Sequence, residues 1–144
     1  MNLNTLKKKK LLSVGGKVKI HEGVIFLPYD QTDNAKPIIL GSNVRIMPGA
    51  IICGGVTVGD DVVIESQVIL GQPEYGYAVG KTYLGEFKDT VVSDGVVLRA
   101  GAIIYSGVRI GLRSTIGHRT LVRTDTSIGS NTQLGHNMTI ERNC

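Results

Sequence analysis

Two Gly-His pairs, Gly117-His118 and Gly135-His136, stand 18 residues apart, and the only other histidine of the 144-residue chain is His21. An imidazole titrates near about 6.5 when unperturbed, so it can take a proton from an attacking nucleophile at neutral pH. It can equally serve as a metal ligand. The two cysteines, Cys53 and Cys144, show neither metal spacing nor a disulfide framework and are expected as reduced thiols. No nucleophile triad and no glycine-rich phosphate loop accompanies the histidines. Proton transfer and metal ligation are the chemistries open to the pair, and the question is what holds the two rings.

The frame is a six-residue period. From Leu40 the chain runs LGSNVR IMPGAI ICGGVT VGDDVV IESQVI LGQPEY, and a second run begins at Val92 with VSDGVV LRAGAI IYSGVR IGLRST IGHRTL. A shorter run starts at Val14. The first position is always apolar, as at Ile46, Ile64, Leu98, Ile116 and Leu134, and the fifth is small or β-branched, as at Val44, Ala50, Val62 and Thr120. Gly, Asn and Asp crowd the second to fourth positions, where tight corners need positive φ. A hexapeptide period predicts an all-β parallel β-helix, because each unit is one short strand and a turn that buries its apolar face only by stacking. Composition agrees. The chain is 42% apolar but lacks tryptophan and carries 19 glycines, which suits a narrow core of small branched side chains.

No apolar run is long enough to span a membrane, and the segment after Lys7–Lys10 is too short for a signal-peptide core, so a cytoplasmic location is expected. The net charge of +4 comes partly from that lysine run, read as a solvated tail with weak attraction to phosphorylated ligands as the second reading. Nucleic acid is not expected as a partner, because no basic stripe is interleaved with aromatics.

The strict sixes resemble the left-handed β-helix of the hexapeptide-repeat acyltransferase family over about residues 14–144, with residues 1–13 as a basic segment or cap. That resemblance implies three units per coil, hence 18 residues per coil and six coils, roughly 29 Å tall at about 4.8 Å each. His118 and His136 then stack directly at the third position of the middle unit. Interruptions at about 27–39 and 71–91 each come after a third unit, so both loops leave one corner and are read as ligand-binding loops lying beside the Gly-His pair.

Within the family the sequence looks like the sugar-nucleotide N-acyltransferase branch. TQLGHNMTIERNC (Thr132 to Cys144) is similar to the catalytic stretch of UDP-3-O-acyl-glucosamine N-acyltransferases, and YGYA (Tyr75 to Ala78) to their aromatic loop. A sugar-nucleotide acetyltransferase pattern, Gly-His-Asn, falls on Gly117-His118-Arg119, with Arg119 departing from it. The resemblance implies transfer of an acyl group, acetyl above all, from acyl-CoA or an acyl-carrier protein to an amino sugar. A histidine would act as base, with no metal and no permanent cofactor. It also implies a homotrimer whose sites lie between prisms. Candidate catalytic residues are His136 and His118; candidate binding residues are Gly117, Gly135, Asn137, Tyr75, Tyr77, Tyr83 and Lys81.

The family's oxyanion donor comes from the coil after the base. If the chain ends at Cys144 this favours His118, which has Gly135-His136 beneath it. In a longer protein His136 with Asn137 matches the motif better, and motif quality tips the choice slightly to His136. Asp125 and Glu141 are near enough in sequence to orient one ring but are read first as ordinary corner residues, and His21 is expected on the surface. Two other readings compete. A γ-class carbonic anhydrase would need a histidine five residues after Gly-His, where Arg123 and Glu141 stand. A non-catalytic interaction solenoid would leave both histidines as solvated corner residues. The last coil would need covering in either case.

Overall fold

Three parallel sheets of six strands wind round one axis as a left-handed β-helix of six coils. The computed structural model describes residues 2–75, 77, 78, 81, 82 and 87–144, with backbone alone for 77, 78, 81 and 82. The first face runs from strand Leu12–Val14 to Ser127–Ile128, the second from Lys19–Ile20 to Gln133–Leu134, and the third from Ile25–Leu27 to Thr139–Ile140. Partners in adjacent coils are 18 residues apart, as in Val97↔Thr115, Thr115↔Gln133 and Leu121↔Thr139. The exceptions are the pairs that span the two insertions, 26 apart as in Lys19↔Arg45 and 34 apart as in Val63↔Val97, with a register shift at Tyr105↔Gln72.

Repeat positions become layers of the core. Ile46, Ile64, Leu98, Ile104 and Ile116 are fully buried at the first position, and Val44, Ala50, Val62, Val68 and Ala102 at the fifth. Each buried Ile or Leu stabilises the stack by about 1.5–3 kcal/mol relative to exposure. Buried hydroxyls at the fifth position close hydrogen bonds between coils: Ser114 donates to the Gly129 carbonyl at 2.6 Å and Thr120 to the Gly135 carbonyl at 2.7 Å.

The fourth position carries the positive φ of each corner. Gly101 (φ 75°) and Gly107 (φ 80°) serve there, and so do Arg119 (φ 54°), Asp125 (φ 60°), Asn131 (φ 55°) and Asn137 (φ 54°). Where the fourth residue is not glycine, the second often is. An added Cβ on Gly117 would lie 2.2 Å from the Gly135 carbonyl oxygen, so this corner exists only because position 117 has no side chain.

Both insertions leave the corner between the third and first faces, after Leu27 and after Gln72. The first folds back through a Tyr29↔Ala35 bridge. The base of the second is tied to the fifth coil by Glu74, which pairs with Arg123 and accepts from the Thr124 N–H at 3.4 Å. Helix Leu3–Lys8 lies over the first coil and plugs its end with Leu6. Asn2 caps it, accepting the Thr5 N–H at 2.8 Å. No described helix is long and apolar enough to cross a membrane.

Candidate active site

His118 comes after strand Thr115–Ile116 and His136 after Gln133–Leu134, so both sit at the corner between the second and third faces, in adjacent coils. Their ring centroids are 4.6 Å apart with planes tilted by 45°. The backbone N–H of His118 donates to His136 Nδ1 at 2.9 Å, and the two Nδ1 atoms are also 2.9 Å apart.

The backbone bond has counterparts elsewhere. At the corner between the first and second faces, Gly16 N–H donates to Ser42 Oγ at 3.2 Å and Ser42 N–H to Asp60 Oδ1 at 2.8 Å. Leu112 N–H likewise donates to Ser130 Oγ at 3.1 Å. His136 therefore fills with Nδ1 a corner-acceptor role that serine and aspartate fill in other coils. His118 is excused from it. The N–H above, on Ala100, donates instead to Glu65 Oε1 at 3.0 Å.

Donor and acceptor requirements then fix the tautomers. A backbone N–H can only donate, so His136 Nδ1 is bare and the proton between the rings belongs to His118 Nδ1. A neutral His118 carries no second proton, which leaves Nε2 with a free lone pair. That nitrogen faces Glu65 Oε1 at 3.8 Å, while Arg99 holds Glu65 Oε2 at 3.1 Å. Around the pair lies an open groove of about 480 Å³, lined by Gln67, Ala100, Gly101, Arg119 and Asn137 with the two histidines.

The remaining expected site residues divide. Gly117 and Gly135 shape the corner, and Gly135 N–H donates to the Met138 thioether at 3.0 Å, a weak acceptor. Asn137 takes the left-handed turn position and accepts from Arg119 Nε at 3.0 Å, so Arg119, the departure from the Gly-His-Asn pattern, occupies the same backbone role as Asn137. Tyr75 is exposed at the base of the second loop. The side chains of Tyr77 and Lys81, and Tyr83 altogether, lie outside the described residues.

Asp125 and Glu141 are ordinary corner residues: Asp125 pairs with Lys88 at 2.7 Å and Glu141 with Arg123 at 2.9 Å, both at the loop corner. Two expectations need correction. The loops do not leave beside the histidines, because their bases are at the third-to-first corner and the third face lies between. His21 is half-buried, and its Nε2 has no hydrogen-bond partner among the described residues. Glu65 and Arg99 were missed. They share the histidines' corner, but the second insertion separates Glu65 from His118 in sequence and hides the shared column. Among the described residues no three His, Cys, Asp or Glu side chains gather to hold a metal ion.

Residues 37–72 match the family model described as bacterial transferase hexapeptide (six repeats). No curated protein matches the chain. Solved structures do. The acetyltransferase domain of PglB from Neisseria gonorrhoeae FA1090 is similar at 22% identity and a TM-score of 0.67, covering 87% of this chain and 49% of that one. A hexapeptide-repeat acetyltransferase of Vibrio cholerae O1 biovar eltor, complexed with acetyl coenzyme A, is similar at 20% identity and a TM-score of 0.70, covering 94% and 74%. A mutant of AntD, an N-acyltransferase from Bacillus cereus in complex with dTDP and coenzyme A, is 18% identical with a TM-score of 0.70, covering 94% and 85%. The chain thus spans about half the length of the Neisseria domain structure. At these identities the likeness establishes the hexapeptide-repeat fold.

Proposed function

We propose that this hexapeptide-repeat β-helix is a cytoplasmic acyltransferase moving an acyl group, acetyl above all, from acyl-CoA to the amino group of a nucleotide-linked sugar, with His118 as general base. A carrier-protein thioester is the alternative donor and a sugar hydroxyl the alternative acceptor. The carrying observation is the corner itself: His118 Nδ1 is held by His136, and Nε2 is free and faces Glu65. Motif quality alone favours His136. Its Nδ1 is occupied by the His118 N–H, however, and its own neutral proton is on Nε2, so in this arrangement it positions rather than abstracts.

The sugar amine attacks the thioester carbonyl as His118 Nε2 takes its proton. The Gly135 N–H, which meets the Met138 thioether, stabilises the oxyanion, a role typically worth about 3–4 kcal/mol. Collapse of the tetrahedral intermediate breaks the C–S bond, and the departing thiolate takes the proton back from the imidazolium, which restores the base.

Support for the donor comes from the shared fold, since the Vibrio protein was solved with acetyl coenzyme A and the Bacillus one with coenzyme A and dTDP. Two features support a homotrimer. Below the first coil the third face presents an outward column, Ile51, Ile69, Ile103 and Leu121, in register from coil to coil. It lies between the histidine corner and the loop corner, so burying it against a second copy would carry that copy's loop base, with Tyr75, toward His118. Thermal-shift measurements with coenzyme A, acetyl-CoA and a panel of nucleotide amino sugars, with thiol release measured next, test the proposal. A stabilising pair that turns over is expected. No stabilisation by any thioester or thiol form of coenzyme A, at concentrations up to millimolar, would reject it.

A further inference from the structure

The end of the prism that carries the helix differs in charge from the rest. Residues 1–19 hold six lysines and no acid, whereas the other 125 residues hold ten basic and twelve acidic side chains. Lys7, Lys8, Lys9, Lys10, Lys17 and Lys19 are all exposed, and Arg45 stands in register beside Lys19 on the second face. None of these seven cations meets a carboxylate among the described residues. Complementing the helix dipole accounts for only Lys7 and Lys8, the basic residues of the last turn.

The same end bears unpartnered apolar surface. A groove of about 700 Å³ opens between the start of the helix and the first coil, lined by the apolar Leu3, Ile20, Val24, Ile25, Phe26 and Leu27 and by the polar Asn2, Asn4, His21 and Glu22. Ile25 and Leu27 are roughly half exposed, at 49% and 47%. Ile39, on the next coil of the first face, is exposed to a similar degree, 47%. Large aliphatics at this exposure beside a lysine cluster are costly in water and suit a boundary that is anionic on one side and apolar on the other.

We propose that this end of the β-helix docks on an anionic lipid bilayer, the lysines meeting headgroup phosphates and the groove walls entering the acyl boundary. A polybasic patch gains roughly fivefold in attachment for each cation held near an anionic surface, and needs a second, apolar contribution to hold firmly. Both contributions occur here within one coil and its cap. Nucleic acid would use the lysines and leave the aliphatic groove in water, so the bilayer fits both halves of the surface. The proposal is independent of acyl transfer.

The test is co-sedimentation of the full chain with vesicles of phosphatidylcholine alone and with about one-third phosphatidylglycerol. Binding is expected to the anionic vesicles, falling steeply with salt. Replacing Lys7, Lys8, Lys9 and Lys10 by glutamine should weaken it by roughly 30-fold or more, with unchanged thermal unfolding. Ile25→Asp and Leu27→Asp together should remove the attachment that survives in high salt. Absence of binding, equal binding to both vesicles, or lysine variants that bind like the parent would overturn the proposal. So would duplex DNA or RNA binding of equal strength that the two aspartate substitutions do not affect.

Discussion

Substituting the two histidines separately tests the tautomer assignment. His118→Ala removes the proposed base, and general-base catalysis typically contributes about 10²–10⁴ in rate. His136→Ala leaves the base and removes the group that holds its Nδ1, a single neutral hydrogen bond worth about 1 kcal/mol, hence roughly fivefold. A third variant separates positioning from folding. Serine accepts the equivalent backbone N–H at Ser42 and Ser130, so His136→Ser should keep the corner bond and the parent's melting temperature while losing the ring contact and the same fivefold. Glu65→Gln adds a fourth arm. Two charges near 4 Å interact by about 4 kcal/mol at an effective dielectric of 20 and about 1 kcal/mol in water. The 46% and 27% exposed side chains, with Arg99 sharing the carboxylate, place the effect toward the lower figure. A roughly tenfold loss in kcat with KM little changed is expected. The assay is coenzyme A release from acetyl-CoA with the acceptor found by thermal shift. If His136→Ala is as damaging as His118→Ala, or more so, the tautomer assignment is wrong; full activity in both dismisses the histidines altogether.

Gly117→Ala should lower stability by about 2–4 kcal/mol, because its Cβ would meet the Gly135 carbonyl at 2.2 Å and the next coil must shift. Gly16→Ala, with no atom within 4 Å, is the matched control for thermal denaturation. At pH 8 a thiol reagent should modify Cys144 quickly and Cys53 only on unfolding, since burial pushes the Cys53 thiol up to about 11; two fast thiols would contradict the buried position. Partial desolvation raises the Asp30 carboxyl, but hydrogen bonds from Thr32 and Asn34 outweigh it and hold it at about 2. Its folded value is depressed, so its contribution is complete above the ordinary carboxylate range and is lost as pH falls through about 2. Carboxyl NMR should show that midpoint, and Thr32→Val should move it up.

Counting residues along the chain is enough to establish the repeat and its consequences. Six-residue spacing of Ile46, Ile64, Leu98 and Ile116 dictates strands whose apolar sides face one axis, since no single unit can bury them. Given three units to a coil, which the family resemblance supplied and the count did not, eighteen-residue spacing stacks His118 on His136 and insertions after third units leave at one corner. The same count held, unused, the fact that middle-unit histidines and third-unit loops occupy different corners. How the two rings contact each other and their neighbours is visible only in the folded chain. Their roles depend on where neighbouring N–H groups point, and that direction is set by turn geometry. The Arg99-Ala100-Gly101 turn sends the Ala100 N–H up to Glu65, whereas Gly117 lets the His118 N–H drop onto His136. Glu65 joins the site across an insertion that breaks the count, and Arg99 enters through its bond to Glu65. Residue spacing fixes which side chains share a column, but hydrogen-bond direction within the column depends on backbone torsions that a hexapeptide period leaves open.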